Sequence, residues 1–506
     1  MRRSALVLFT VAAAVACTSG GSPASPTPAI TAELVPTDQG PAESGALPRL
    51  VPGERSTVGV LLQHFGRLDG FAEIGSRAGD SALVALDVTS GELIAGWGPL
   101  ALHRYANRAV ASPDGQMLAM AGRDDRGAPT VQVVDLDQAQ GSGDPIQPTS
   151  RGSDGDPRAI GIGPMRWSAD GANVYWLQST YLLVDQLWRL DVGSGDARAI
   201  ANLEGTGLDE PMLSPDGKTV YLLRRPCCEL WEGGTPYEVI AIDAATGEEV
   251  ARTSVPGVVH RAPTNGIEYL PAAAIAPDGS AIHVVHADAD RVTTIATDPL
   301  VAGEPREFRA QGSAFSRLGG WFLDRFASRA EAKVGEQAKA ALVSADGRRL
   351  YITGATDELC EFESHSYCVI GDPLGLQVVD LETMQLLHHE RGVDRITLTA
   401  DGRWVIGGGS VREWDDGEQR TLHEGFGLTV FDAVTGEPVG AFDRGAIVGD
   451  VAVSPDSRRL YYLVPVGPTC ASTCSMLRVV DLDEQRIIAS RELGSRPVGL
   501  VDLGGR

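Results

Sequence analysis

The chain has 506 residues, 43% of them hydrophobic and 6% aromatic, with 67 acidic against 43 basic side chains and a formal net charge of −24. That apolar content excludes wholesale disorder, and the acidity argues against nucleic-acid binding, which needs many cations to neutralise phosphates. Of the basic residues only Lys218, Lys333 and Lys339 are lysines.

The N-terminal residues 1–16 read as a secretory signal. Arg2 and Arg3 form the positive end, and Ala5–Val15 is an apolar run too short to span a bilayer, which takes about 20 residues. Ala14-Val15-Ala16-Cys17 follows. The segment resembles a bacterial lipoprotein signal, which implies that Cys17 carries a lipid and becomes the mature N-terminus; cleavage of an ordinary signal peptide nearby is the alternative. Residues 17–50, rich in Ser, Pro, Thr, Gly and Ala, cannot bury a core and read as a flexible tether.

From residue 51 to 506 the sequence repeats. A turn motif recurs seven times, as Ser112-Pro113-Asp114-Gly115, Ser168-Ala169-Asp170-Gly171, Ser214-Pro215-Asp216-Gly217, Ala276-Pro277-Asp278-Gly279, Ser344-Ala345-Asp346-Gly347, Thr399-Ala400-Asp401-Gly402 and Ser454-Pro455-Asp456-Ser457. Each lies between short apolar runs, which is a hairpin signal because glycine tolerates the positive φ of the turn. We label the flanking strands A and B. An apolar strand ending in Asp follows in each unit, often with Thr/Ser-Gly and a further strand after it; these are C and D. The terminal aspartates are Asp87, Asp135, Asp191, Asp243, Asp298, Asp380, Asp432 and Asp481, one more than the turn motifs.

The extra aspartate has a topological meaning. Asp87 is preceded by a B-like run, Thr57–Leu62, with no A strand ahead of it, while Pro497–Val501 looks like an A strand with nothing after it. A composite sheet built from both ends of this region would complete the set. The repeat resembles bacterial β-propellers of the YVTN and quinoprotein-like type over about nine-tenths of the chain. The expected fold is therefore all-β, a propeller of eight four-stranded blades, seven continuous and one composite; without the composite sheet it would have seven. Closure hides sheet edges that otherwise invite aggregation.

Two segments depart from the repeat. Over about 313–340, Phe315, Leu318, Phe322, Phe326, Ala330, Val334 and Ala338 recur at helical spacing, so a helical insertion is expected there, either a lid or docking element or a cover over exposed sheet. The B–C hairpins carry Cys227, Cys228, Cys360, Cys368, Cys470 and Cys474. In an exported protein six cysteines predict three disulfides, with pairing inside each hairpin favoured by proximity. A shared metal site is the alternative, but pairs in alternate units are poorly placed to converge on one ion.

In this topology the D-to-A and B-to-C loops open on one face, at the mouth of the central channel. The D-to-A loops hold His103, Arg104, Arg158, His260, Arg261, Arg391, Asp394, Arg444, Asp450 and Arg496. A ring of arginines at a channel mouth can grip an anion through forked hydrogen bonds; in an arginine-rich protein it can equally be solvated or paired with Asp. Asp288 and Asp290 in Ala287-Asp288-Ala289-Asp290 could touch calcium, but without the glycine and glutamate of an EF-hand loop. No nucleophile elbow, zinc-protease helix or P-loop occurs.

The sequence thus predicts a monomeric binding module on the outer face of the cell membrane, held there by its lipid alone. It recognises a protein or cell-envelope ligand, and no metal, cofactor or nucleic acid is expected. The alternative is a propeller enzyme, lactonase-like or quinoprotein-like, with its site at the channel mouth.

Overall fold

The computed structural model describes residues 57–63, 81–87, 93–100, 104–123, 128–136, 146, 159–180, 184–204, 206–207, 211–225, 235–260, 267–310, 334–361, 367–415, 420–454, 456–465, 475–493 and 496–502. All fall in the compact unit Gly45–Arg506. The signal, the tether and Cys17 lie outside the described residues.

The hairpins form where the turn chemistry dictates. In Ser344–Gly347 the Ser344 hydroxyl donates to Asp346 Oδ1 at 2.5 Å, and the Arg348 and Arg349 amides donate back to Asp346 Oδ1 and Ser344 Oγ at 3.0 and 2.8 Å. Gly347 takes φ +71°, which a side chain would resist. The same arrangement recurs at Ser112, Ser168, Ser214, Thr399 and Ser454. The hydroxyl bond holds the carboxyls of Asp170 and Asp346 below the ordinary value. At the C–D turns the strand-ending aspartate does equivalent work: Asp243 Oδ1 accepts the Thr246 amide at 2.8 Å and the Thr246 hydroxyl at 2.9 Å.

The strands assemble into antiparallel meanders. Strand Thr57–Gln63 pairs with Ser81–Asp87, which pairs with Leu93–Leu100, and on its other side it pairs with Arg496–Asp502. The composite sheet expected from the two ends is therefore formed, with Val60 opposite Leu500. Further meanders run through residues 104–135, 159–204, 206–260, 272–307, 334–390, 395–442 and 451–493.

Each sheet packs on the next through its alternating side chains. Tyr175 and Leu187 meet Leu222 and Ile240; Tyr221 and Val239 meet Ile282 and Val284. Val285 and Val292 meet Leu350 and Val379, and Tyr351 and Val378 meet Val405 and Phe431. Ile406 and Val430 meet Leu460 and Tyr462, while Tyr461 and Leu463 face the other way and meet Leu86 and Leu500 of the composite sheet. The run Leu460-Tyr461-Tyr462-Leu463 is wholly apolar because both of its faces are buried. At the start of the chain Ala119 and Val131 meet Trp167 and Trp176, and Arg104–Ala111 lies against Arg496–Asp502. The series of interfaces returns to where it began.

Residues 334–340 correct the expected helix. They belong to strand Val334–Val343, which pairs along its whole length with Arg349–Glu361 and, over Gly335–Ala338, in parallel with Ile267–Leu270. Partners on both edges outweigh a local three-to-four periodicity in an alanine-rich segment. Residues 313–333 of the expected insertion lie outside the described residues.

The B–C hairpins of the 334–390 and 395–442 sheets extend beyond their blades. Strand Tyr367–Pro373 pairs with the first hairpin's own strand and, at Gly371, with Arg412 of the second, joining the two sheets.

Candidate functional site: the face of the D-to-A loops

The first strands of successive sheets lie against one another, as Val451–Val453 does on Arg496–Asp502 and Ala272–Ile275 on Val334–Val343, so their N-terminal ends surround one axis. The D-to-A loops deliver residues there. Arg104 opens strand Arg104–Ala111 opposite Arg123, and His260 closes strand Glu249–His260 opposite Thr235. His103, Arg158, Arg261, Cys227, Cys228, Cys470 and Cys474 lie outside the described residues. Cys360 and Cys368 are directly opposite each other across their hairpin.

Four of the expected residues come together in two adjacent loops. Asp394 Oδ2 accepts the Ser410 amide at 3.0 Å, and its Oδ1 lies 3.3 Å from Arg395 Nε. Arg395 reaches into the following loop and donates to the carbonyls of Val448 at 2.9 Å and Gly449 at 3.2 Å. Asp450, next in that loop, accepts the Leu500 amide of the closing strand at 2.7 Å. Asp394, Arg395 and Asp450 thus tie three consecutive sheets together at their inner ends. Arg391 and Arg444, from the same loops, are exposed. Asp443, beside Arg444, is engaged by the Tyr462 hydroxyl at 2.6 Å and by Arg478 Nε at 3.2 Å.

Two residues of this face escape a sequence reading. Arg395 looks like one more arginine until the Val448 and Gly449 carbonyls are placed beside it. Phe426 is 43% exposed, unusual for an aromatic, and its ring lies on Gly392, where a Cβ would stand 2.8 Å from the ring's Cγ. The flanking pattern Gly425-Phe426-Gly427 was its only signal. Arg391 adjoins Gly392, and the Asp443 carbonyl lies against Gly427, so Phe426 sits between the loops bearing the two free arginines.

Two histidines, His283 and His286, are buried in the sheet of residues 272–307. His286 is fully buried with Nε2 2.8 Å from Thr293 Oγ1, and His283 Nδ1 is 3.1 Å from Thr294 Oγ1. Desolvation pulls both down to about 4, and the Arg291 charge adds to this at His286. An unfolded histidine titrates near about 6.5, so the unfolded chain takes up these protons first as the pH falls. The contribution is full above about pH 6.5 and is lost progressively toward about pH 4, amounting to about 1 kcal/mol per histidine at about pH 5.5. A melting temperature that falls between about pH 7.5 and 5, with a shallower fall in His286→Gln, is the expected result; a flat profile contradicts it. The turn aspartates, with lowered pKa values, act below that window, their stabilisation being lost as the pH falls beneath about 4. Among the described residues no three His, Cys, Asp or Glu side chains are placed to hold a metal ion.

No protein-family model and no curated protein matches the chain. Among solved structures it is similar to dihydro-heme d1 dehydrogenase NirN in complex with DHE, at 15% identity and a TM-score of 0.52, over 91% of this chain and 78% of that one. The fold is a β-propeller. Lower similarities are to Kuenenia stuttgartiensis hydrazine synthase (13% identity, 71% of this chain and 94% of that one, TM-score 0.36) and to the Myceliophteria thermophila Cps50 (Swd1) β-propeller domain (11%, 66% and 87%, 0.34). At such identities the propeller likeness concerns shape, and the activity has to be argued from the site.

Proposed function

We propose that this protein is an exported eight-bladed propeller, anchored by a lipid on Cys17, which binds a protein or cell-envelope ligand on the face formed by its D-to-A loops. The observation that carries this reading is the pair of rigid loops around Phe426. Their carboxylates are engaged in holding three sheets together, yet Arg391, Arg444 and the aromatic ring are presented to solvent. Arginine and aromatic side chains on a pre-organised backbone are the residues that dominate recognition surfaces. The succession of meanders together with the composite sheet supports eight blades. The opposed positions of Cys360 and Cys368 suit a disulfide across that hairpin, since cross-strand Cα spacings of about 4.5–5.5 Å lie within disulfide range. With a net charge of −24 the propeller is repelled by anionic lipid, so the tether does the anchoring.

A second reading is a propeller enzyme with its ligand at the same mouth; the similar NirN structure carries the name of a dehydrogenase in complex with DHE. Charge reversal separates the two. Arg391→Glu/Arg444→Glu should keep the wild-type melting temperature, because both side chains are exposed. It should cut the yield of the chain's cross-linked protein adduct in native membranes by about tenfold or more, the scale of losing one interface hot spot. An unchanged adduct, or the absence of any adduct from wild-type protein, contradicts the binding-module reading.

A further inference from the structure

The two loops that carry Arg391 and Arg444 have no play. Loop 391–394 presses on Gly409, where a Cβ would stand 2.3 Å from the Gly392 carbonyl oxygen, and the loop from Asp443 presses on Gly427, where it would stand 2.6 Å from the Asp443 carbonyl oxygen. Gly409 and Gly427 lie in the two strands of one hairpin, Trp404–Asp415 and Arg420–Asp432. Both loops therefore take their positions from the same backbone, Arg395 bridges them through the Val448 and Gly449 carbonyls, and Phe426 lies between them. We infer that Arg391, Phe426 and Arg444 form one clamp for an extended acidic segment of a partner protein, in which two carboxylates flank an apolar side chain. The inference rests on the binding reading above and names the chemistry that the face selects.

The carboxylates nearest in sequence to the two arginines are turned elsewhere. Glu390 Oε2 lies 3.6 Å from His388 Nε2, Asp394 holds the Ser410 amide and Arg395, and Asp443 is held by Tyr462 and Arg478. Among the described residues neither Arg391 nor Arg444 has an ion-pair partner. Two guanidinium groups left to solvent around an exposed ring match anionic groups and an apolar one on a single ligand. In an extended peptide alternate residues face one side, so a Glu-x-Leu-x-Glu segment presents all three together. The charge on the rest of the molecule disfavours a polyanion spread over the surface. The net charge is −24, and Glu424, two residues from Phe426 in the same strand, is exposed. A segment with two local acids meets the arginines without lying across that surface.

The probe is a fluorescein-labelled peptide with a Glu-Ser-Leu-Ser-Glu core, titrated with the full-length chain and read by anisotropy. Changing both Glu to Gln in the peptide, or its Leu to Ser, should weaken binding about tenfold, the scale of one hot spot. Arg391→Gln and Arg444→Gln should each weaken the parent peptide and leave the Gln peptide unchanged. Phe426→Ala should abolish the distinction between the Leu and Ser peptides. Unlabelled parent peptide should suppress the cross-linked adduct in native membranes. No binding at millimolar peptide, or equal affinity for the Gln or Ser form, overturns the inference. An adduct that survives saturating peptide overturns this inference alone, whereas a wild-type chain that gives no adduct removes the binding reading and this inference with it.

Discussion

A chain that stops at Leu493 should lose its cooperative unfolding transition and aggregate. Strand Arg496–Asp502 is the only described partner on one side of Thr57–Gln63. Without it the sheet at the start of the propeller keeps an open edge of unpaired amides and carbonyls, the template on which chains associate. The core suffers as well. Leu500 is 5% exposed and packs with Leu86, Tyr461, Leu463 and Leu477. Truncating a buried leucine to alanine costs about 2–5 kcal/mol, and the deletion removes the whole strand. It also takes away the Leu500 amide that Asp450 engages. Native stability totals only about 5–15 kcal/mol, so the deletion consumes much of it. Circular dichroism melts and size-exclusion profiles of the two chains decide the matter. A truncated chain that melts cooperatively at the wild-type temperature contradicts closure through the C-terminal strand.

Gly425→Ala is expected to destabilise the protein by about 3 kcal/mol, the upper part of the range for overpacking. A Cβ at Gly425 would stand 2.0 Å from the Ala446 carbonyl oxygen, 2.1 Å from its carbon and 2.2 Å from the Ile447 amide nitrogen. All three are backbone atoms, so no rotamer relieves the overlap and the loop from Asp443 to Ile447 must move. That loop is fixed by the Gly427 amide on the Ala446 carbonyl at 2.9 Å and by the Tyr462 and Arg478 bonds to Asp443. The control is Gly445→Ala. Gly445 has φ +84° but no atom within 4 Å of its would-be Cβ, so only the left-handed backbone cost of about 1–2 kcal/mol applies. Denaturant melts should rank Gly425→Ala as the more damaging. Equal losses would mean that the loop does not press on the strand. Because Gly425 adjoins Phe426, the same substitution should also weaken binding through the proposed face.

The repeat was legible in the sequence because its signals are local. A Ser-x-Asp-Gly turn states its own hydrogen bonds, and the aspartate that ends a C strand states the turn that follows. The composite sheet was legible too, since an unpaired B run at one end and an unpaired A run at the other leave each other as partners. The helix expected around 334–340 failed for the converse reason. Val334 and Ala338 fit a helical period, but Ile267–Leu270 and Leu350–Leu359 arrive from elsewhere in the chain and take both edges.

The site was only half legible. Asp394 and Asp450 could be chosen because they precede A strands, and Arg391 and Arg444 because they occupy D-to-A loops. Arg395 owes its role to carbonyls some 50 residues away. Phe426 rests on Gly392, which belongs to a different loop. No spacing rule within a single strand reports such neighbours.

Site-directed photo-cross-linking in intact membranes shows which face of the propeller meets its partner. A photoreactive residue at Arg391 or Arg444 reports on the D-to-A face, and one at Val250, 60% exposed on the fourth strand of another sheet, reports on the rim. A propeller that binds through its mouth gives one recurrent adduct from Arg391 and Arg444, none from Val250, and loss of the Arg444 adduct when Phe426 is changed to alanine. Adducts from Val250 alone, or none from any position, would contradict a propeller that recognises its partner through the mouth.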